Sequence, residues 1–279
     1  MDFTKIHGTG NDFIIINNTK VGLSDTMLVN FARRICKRKY SIGADGIIVI
    51  EHATSNADFR VDFYDTAGSV AQICSNGVRC AARYAYENLI AWENMNIETI
   101  AGNVYAWRID KRTYKVKLNN PSIINLENKI TIDSIEYDYS YIELGNPGLP
   151  HVVIRYKGLY NINNCDIVKL ARKLIGAERF ITGSKVSFYD IMDDNVVIRT
   201  YERGVEDLTL ACGSAAGATA VVISLKNELP HKSIKFMSEG GELTVQIDKS
   251  NKNIIENIYL IGDTNIVATG KIVDEDLHY

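Results

Sequence analysis

Apolar positions recur along the chain with two periods, and the same succession of periods occurs twice. Between Ser24 and Arg38, the residues Met27, Leu28, Phe31, Ala32 and Ile35 fall on one face and Arg33, Arg34, Lys37 and Arg38 on the other, which predicts an amphipathic helix with a basic, solvated outer face. Asp2 to His7, Phe13 to Asn17, Ile47 to Ile50 and Asp58 to Tyr64 read as strands. A helix-forming run rich in alanine and tyrosine follows from Cys74. Met95 to Ile100, Val104 to Ile109 and Tyr114 to Leu118 then form a meander, and Asn119 to Ser122 reads as a domain boundary. The second half repeats the order: strands from Ile135 to Leu144 and from His151 to Arg155, a helix from Cys165 to Ile175, and strands from Lys185 to Asp190 and Val196 to Tyr201. After a helix led by Cys212 come Ile234 to Met237, Leu243 to Ile247, Ile258 to Ile261 and Asn265 to Ile272.

Landmarks confirm the repeat. The two cysteines that open alanine-rich helices are separated by 212 − 74 = 138 residues, about half of the 279 in the chain. Gly102 matches Gly240 (240 − 102 = 138), Asp12 matches His151 (151 − 12 = 139), and the expected helix caps Ser24 and Asn164 differ by 140 (164 − 24). The expected organisation is two like domains, 1–120 and 121–265, with a final strand at about 266–279 pairing back onto the first.

Composition narrows the class. Lys and Arg total 31 against 34 Asp and Glu, a net charge of −3 with no basic cluster, so no nucleic-acid partner is expected. No apolar run approaches membrane-spanning length and the N-terminus carries no signal core, so the expectation is a soluble cytoplasmic protein without a membrane partner. Five cysteines (Cys36, Cys74, Cys80, Cys165, Cys212) without C-x-x-C spacing predict neither a disulfide framework nor a zinc site. Cys36, Cys80 and Cys165 are assigned to packing. The G-T-G of His7 to Asp12 precedes an apolar strand rather than a helix, which argues against nucleotide binding; Asn11 there offers an amide to a ligand or to a neighbouring backbone group.

A cysteine at a helix N-terminus meets unpaired N–H groups and the positive end of the macrodipole, which favour a thiolate and can hold a carboxylate or developing oxyanion. Two such thiols, brought into one cleft by an approximate twofold, suit inversion at carbon: one takes a proton from one face and the other delivers one to the opposite face. Helix-end N–H groups would stabilise the dianion formed at the α-carbon of an amino acid, so this chemistry requires no cofactor. Other classes remain open. A cysteine hydrolase leaves the second thiol unexplained, a redox pair predicts a persistent disulfide, and a binding module would keep the helix-end anion sites without needing both thiols.

The motifs H-G-T-G-N-D-F (His7 to Phe13), C-S-N-G-V-R-C (Cys74 to Cys80), E-R-G (Glu202 to Gly204) and T-L-A-C-G-S (Thr209 to Ser214) together closely resemble diaminopimelate epimerase, end to end. The resemblance implies an α/β (α+β) fold of two pseudo-symmetric domains, each a curled, mostly antiparallel sheet around a central helix. It also implies a pyridoxal-independent epimerase or racemase that acts on a small-molecule amino acid and forms a homodimer. By that resemblance Cys74 and Cys212 are the two bases. Asn11, Glu202 and Arg203 contact substrate, the backbones of Ser75, Asn76, Gly213 and Ser214 bind the reacting carboxylate, and His151 and Glu202 lie near the thiols.

Departures cluster where the family holds the distal carboxylate of diaminopimelate. Asp65 replaces an amide in the turn before Cys74, Gly46 stands where Gln is common, and Lys185 stands where a further Asn is expected. Leu149 occupies the Asn position of G-N-P-H, with Asn146 nearby as a substitute if the loop is shifted. These changes imply altered substrate choice, with histidine, lysine or ornithine as candidates beside diaminopimelate.

Overall fold

The computed structural model describes residues 1–71, 74–177, 183–202, 204–252 and 254–273. The chain divides into two compact units: Met1–Lys117 with the C-terminal stretch from Gly262, and Leu118–Ile261. Both are sheet-dominated α+β units.

In the first unit the order is β1 (Asp2–Gly8), β2 (Asn11–Asn17), α1 (Asn18–Val21), α2 (Asp25–Ile35), β3 (Gly46–Glu51), β4 (Phe59–Asp65), β5 (Val70–Ala71), α3 (Ser75–Glu87), β6 (Asn94–Thr99), β7 (Gly102–Arg108) and β8 (Thr113–Leu118). Neighbouring strands are antiparallel except β2 with β3 and β4 with β6, which are joined through α2 and α3 and run parallel. Phe13 to Ile16 are all buried, as expected of a strand covered on both faces. Ile14 and Ile16 pack with Leu28, Phe31, Ala32 and Ile35 of α2, while α3 is buried continuously from Asn76 to Ala85. The sheet therefore lies between an outer amphipathic helix and a central buried one.

The second unit repeats that order with β9 (Pro121–Ile132), β10 (Ile135–Leu144), β11 (Leu149–Arg155), α4 (Asn164–Gly176), β12 (Lys185–Met192), β13 (Asn195–Glu202), β14 (Asp207–Thr209), α5 (Gly213–Leu225), β15 (Ser233–Ser238), β16 (Gly241–Lys249) and β17 (Ile255–Asp263). Here β11 with β12 and β13 with β15 are the parallel pairs. Helix α5 reads G-S-A-A-G-A-T-A-V-V-I-S-L, apolar nearly all round, and is buried from Ala215 to Ile223. Helix α4 packs Ile167, Ala171 and Leu174 against Val152, Ile154, Val186 and Phe188. The last strand, β18 (Asn265–Lys271), returns to the first unit and pairs antiparallel with β1.

The G-T-G segment precedes a strand, as expected: it is a two-residue hairpin turn, with Thr9 and Gly10 at φ 54 and 84 between β1 and β2, the geometry whose twist matches paired strands. Several other expectations are corrected. Strand β9 has no counterpart in the hydrophobic pattern because most of its residues are exposed; it is set by pairing with β10 through Asp133 and Ser134, both at positive φ. Strand β11 begins at Leu149, two residues before the expected start at His151. The cap of α4 is Asn163, whose side chain accepts from the Cys165 N–H, not Asn164. Gly241 rather than Gly240 corresponds to Gly102, each opening a strand at positive φ. In strand register Phe13 faces Gly46 and His151 faces Lys185, so the counterpart of His151 is Phe13, not Asp12.

Candidate active site

Cys74 is the N-cap of α3, with an extended backbone (φ −130, ψ 107) that turns its thiol back over the first helical turn. Its Sγ accepts from the Gly77 N–H at 3.4 Å and lies 3.5 Å from Asn11 Oδ1, oriented so that the thiol donates to the amide oxygen. The Asn11 amide is held the right way round because its Nδ2 donates to Asp45 Oδ2 at 2.8 Å. Asp45 also accepts from the Asp12 N–H and pairs with Arg38 at 3.0 Å. Burial raises the Asp12 carboxyl, but hydrogen bonds from Arg38 and Lys5 outweigh it and leave the group below its ordinary value. Within the helix, Arg79 is fully buried and its Nη2 donates to Asn76 Oδ1 and Thr9 Oγ1, both at 3.0 Å. This guanidinium ties the first turn behind Cys74 to the β1–β2 turn, while its Nε and Nη1 find no partner among the described residues.

Cys212 is the N-cap of α5 with nearly the same backbone (φ −124, ψ 110), and its surroundings carry more charge. Lys185 Nζ stands 3.4 Å from its Sγ and 2.9 Å from Glu202 Oε2, and the Ser214 hydroxyl is 3.4 Å from the sulfur. Burial pushes the Cys212 thiol up to about 11 with help from Glu202, against the opposing pull of Lys185, the Ser214 hydroxyl and the Ala215 N–H. Burial lowers the Lys185 ammonium, yet Cys212 and Glu202 more than reverse this and raise it. His151 lies beside Lys185 in register, fully buried, with both ring nitrogens unpartnered among the described residues. Burial first and Lys185 second lower it to about 3, so this imidazole is neutral at physiological pH.

The expected site residues thus gather as two separate groups. Asn11, Ser75 and Asn76 surround Cys74; Lys185, Glu202, Gly213, Ser214 and His151 surround Cys212. Gly46 and Asp65 are paired across β3 and β4. A Cβ on Gly46 would meet the Tyr64 carbonyl oxygen at 2.5 Å, so no side chain fits there without moving backbone. The Asp65 carboxylate is exposed and accepts from the N–H groups of Ala67 and Ser69 at 2.8 Å, capping its own turn. Arg203 lies outside the described residues.

Sequence reasoning missed Asp45 and Arg79; the arginine stands inside the Cys74 motif, but its spacing alone does not mark it as buried. Cys36 and Cys80 are buried, and burial pushes Cys36 up to about 12. Cys165 is exposed at the start of α4 and is not a packing residue. Among the described residues no three His, Cys, Asp or Glu side chains gather as a metal set, and no helix is long and apolar enough to cross a membrane.

The diaminopimelate epimerase family model matches residues 3–124 and 144–267. A diaminopimelate epimerase of Aquifex aeolicus is 35% identical over 289 aligned positions, spanning 100% of both chains. One from Hydrogenobaculum sp. is 36% identical, covering 98% of each chain. Among solved structures, a hydroxyproline epimerase from Agrobacterium vitis with bound trans-4-OH-L-proline superposes with a TM-score of 0.73 at 15% identity, covering 99% of this chain and 94% of that one. A Bacillus anthracis phenazine biosynthesis protein of the PhzF family gives 0.75 at 14% identity, covering 98% and 99%. These two likenesses show the fold. With a family model across both halves and relatives above 30% identity over their whole length, the chain belongs to the diaminopimelate epimerase family and is an isomerase.

Proposed function

We propose that this protein epimerises or racemises a free amino acid at its α-carbon, with Cys74 and Cys212 as the two acid–base groups. One thiolate takes the α-proton, leaving a carbanion whose charge spreads onto the carboxylate. The other thiol then gives its proton to the opposite face, and the two sulfurs end with their protonation exchanged. The first-turn N–H groups after each cysteine are suited to hold the charge that develops on the substrate carboxylate. Inversion by this route calls on no cofactor. The observation that carries the reading is the repetition of one device: a cysteine N-cap, in the same backbone conformation, opening the central buried helix of each unit.

The substrate reading rests on the residues at the departing positions. Gly46 and Leu149 offer no side-chain amide, the Asp65 carboxylate is negative and caps its own turn, and Lys185 is engaged by Glu202 and Cys212. These groups give little to a distal carboxylate, which favours an amino acid with a neutral or cationic side chain, such as histidine, lysine or ornithine. Diaminopimelate is the second reading, favoured by the names of the relatives at 35% and 36% identity.

The test is α-proton exchange followed by NMR in deuterium oxide, with LL-diaminopimelate, histidine, lysine, ornithine and simple apolar amino acids offered separately. Exchange of histidine, lysine or ornithine supports an altered pocket. Exchange of diaminopimelate alone would overturn the substrate reading and keep the chemistry; no exchange with any of them would sink both.

A further inference from the structure

The two thiols stand on matching positions, and the residues on the strands beside them differ. In strand register Lys185 of the second unit takes the place of Gly46 in the first (185 − 46 = 139), and Glu202 takes that of Asp65 (202 − 65 = 137). At Cys74, the sulfur donates to the Asn11 amide oxygen, which Asp45 locks in place, accepts from the Gly77 N–H, and interacts with the charge of the buried Arg79. At Cys212, an ammonium donor points at the sulfur, the arrangement that a thiolate rewards.

We propose that Lys185 is the counter-ion of the Cys212 thiolate, favouring the form of that sulfur that can take a proton. This rests on the two-thiol reading above. It reassigns Lys185 from the substrate's side chain to the acid–base machinery. It also explains why a lysine, itself only about one-fifth exposed, is kept between a carboxylate and a thiol.

The groups facing the pair are known from each packed element. Glu202 on β13 opposes ionisation of the thiol; Lys185 on β12, with the Ser214 hydroxyl and Ala215 N–H on α5, favours it. His151 on β11 stays neutral because burial and the same ammonium hold it so, and therefore adds no second positive charge. An opposite charge within hydrogen-bond reach of a poorly solvated group moves its pKa by roughly one to three units. Lys185 thus decides how readily Cys212 can act as base.

The experiment is alkylation by iodoacetamide across a pH series, with each cysteine read separately by peptide mass spectrometry, in wild type, Lys185→Gln and Lys185→Arg. Lys185→Gln is expected to move the midpoint at Cys212 upward by at least about one pH unit. The midpoint at Cys74 should stay, and Lys185→Arg should restore the wild-type value at Cys212. A Cys212 midpoint unmoved by Lys185→Gln, or both midpoints moving together, overturns the inference. Should Lys185→Gln fail to fold, the wild type still decides. The Lys185 Nζ resonance must inflect at the pH where Cys212 becomes reactive, and a flat titration there counts against the pair. Amino-acid exchange in wild type separates the two readings. Exchange with an unmoved Cys212 midpoint defeats only the counter-ion, whereas a shifted midpoint with no exchange of any amino acid defeats only the racemase.

Discussion

The Cys74 and Cys212 sites share a backbone and differ in nearly everything around it. Both cysteines stand at the N-cap of a central helix with an extended backbone, and in both units a parallel strand pair and a hairpin frame that helix. Around Cys74 the polar groups are the Asn11 amide, the Gly77 N–H and a buried arginine tied to Asn76; around Cys212 they are Lys185, Glu202, a serine hydroxyl and a neutral histidine. A duplicated scaffold has thus kept the geometry of the nucleating turn while its two electrostatic environments diverged. Backbone conformation is dictated by many contacts at once, whereas one side chain can change the local charge without disturbing the strand it stands on.

The comparison breaks most sharply if either thiol is dispensable. Cys74→Ala and Cys212→Ala are each expected to slow α-proton exchange by about 10²- to 10⁴-fold, the usual contribution of a positioned acid or base. A single variant that keeps wild-type exchange would end the equivalence of the sites. Mild oxidation should join Cys74 to Cys212 and stop exchange until reductant is added; loss of activity without that crosslink, seen by peptide mapping, would point to a different lesion.

Packing under the two first turns differs as well. A Cβ on Gly77 would meet Phe63 Cε1 at 2.5 Å, whereas Ala215, at the matching place in α5 (215 − 77 = 138), already carries one. Gly77→Ala should therefore destabilise the first unit by about 1–3 kcal/mol, read from the denaturant midpoint. An unchanged midpoint would mean that Phe63 yields freely.

His151, standing where the first unit has Phe13, sharpens the comparison through acid. The unfolded chain protonates this imidazole near 6.5, but the folded one only near 3. Between those values the unfolded state binds more protons, so stability is full above about 6.5 and is lost progressively as the pH falls toward 3. At pH 5 the loss is expected to be about 2 kcal/mol. His151→Phe should flatten this slope, and a melting series with the same acid dependence in both proteins would exclude His151 as its source. The smallest effect belongs to the exposed turn before β5. Asp65→Ala removes the acceptor for Ala67 and Ser69 and should cost about 1 kcal/mol, whereas Asp65→Asn, which keeps an acceptor oxygen, should cost less.

Much of this was legible beforehand. The repeat, the two cysteine-led helices and the amphipathic α2 and α4 all follow from local periodicity and capping chemistry, which act within a few residues of chain. Strand β9 was not legible, because its apolar residues follow no clean alternation and most of its residues are exposed, so its place is set by its partner β10. The Asp45 lock on Asn11 spans 34 residues, and the Thr9 contact of Arg79 spans 70; no spacing rule relates such positions.

By itself, the sequence determined that this protein is a duplicated α+β isomerase scaffold with a thiol at the head of each central helix, since those features are written in periods and motifs. Only the tertiary structure decided what each thiol faces. Lys185 could be read from the sequence as a ligand for substrate. Its assignment to Glu202 and Cys212 comes from strand register, which brings residues 17 and 27 positions away to one ammonium (202 − 185 = 17; 212 − 185 = 27). The energy of a charge depends on such neighbours and on exclusion of water, and both are properties of the folded chain.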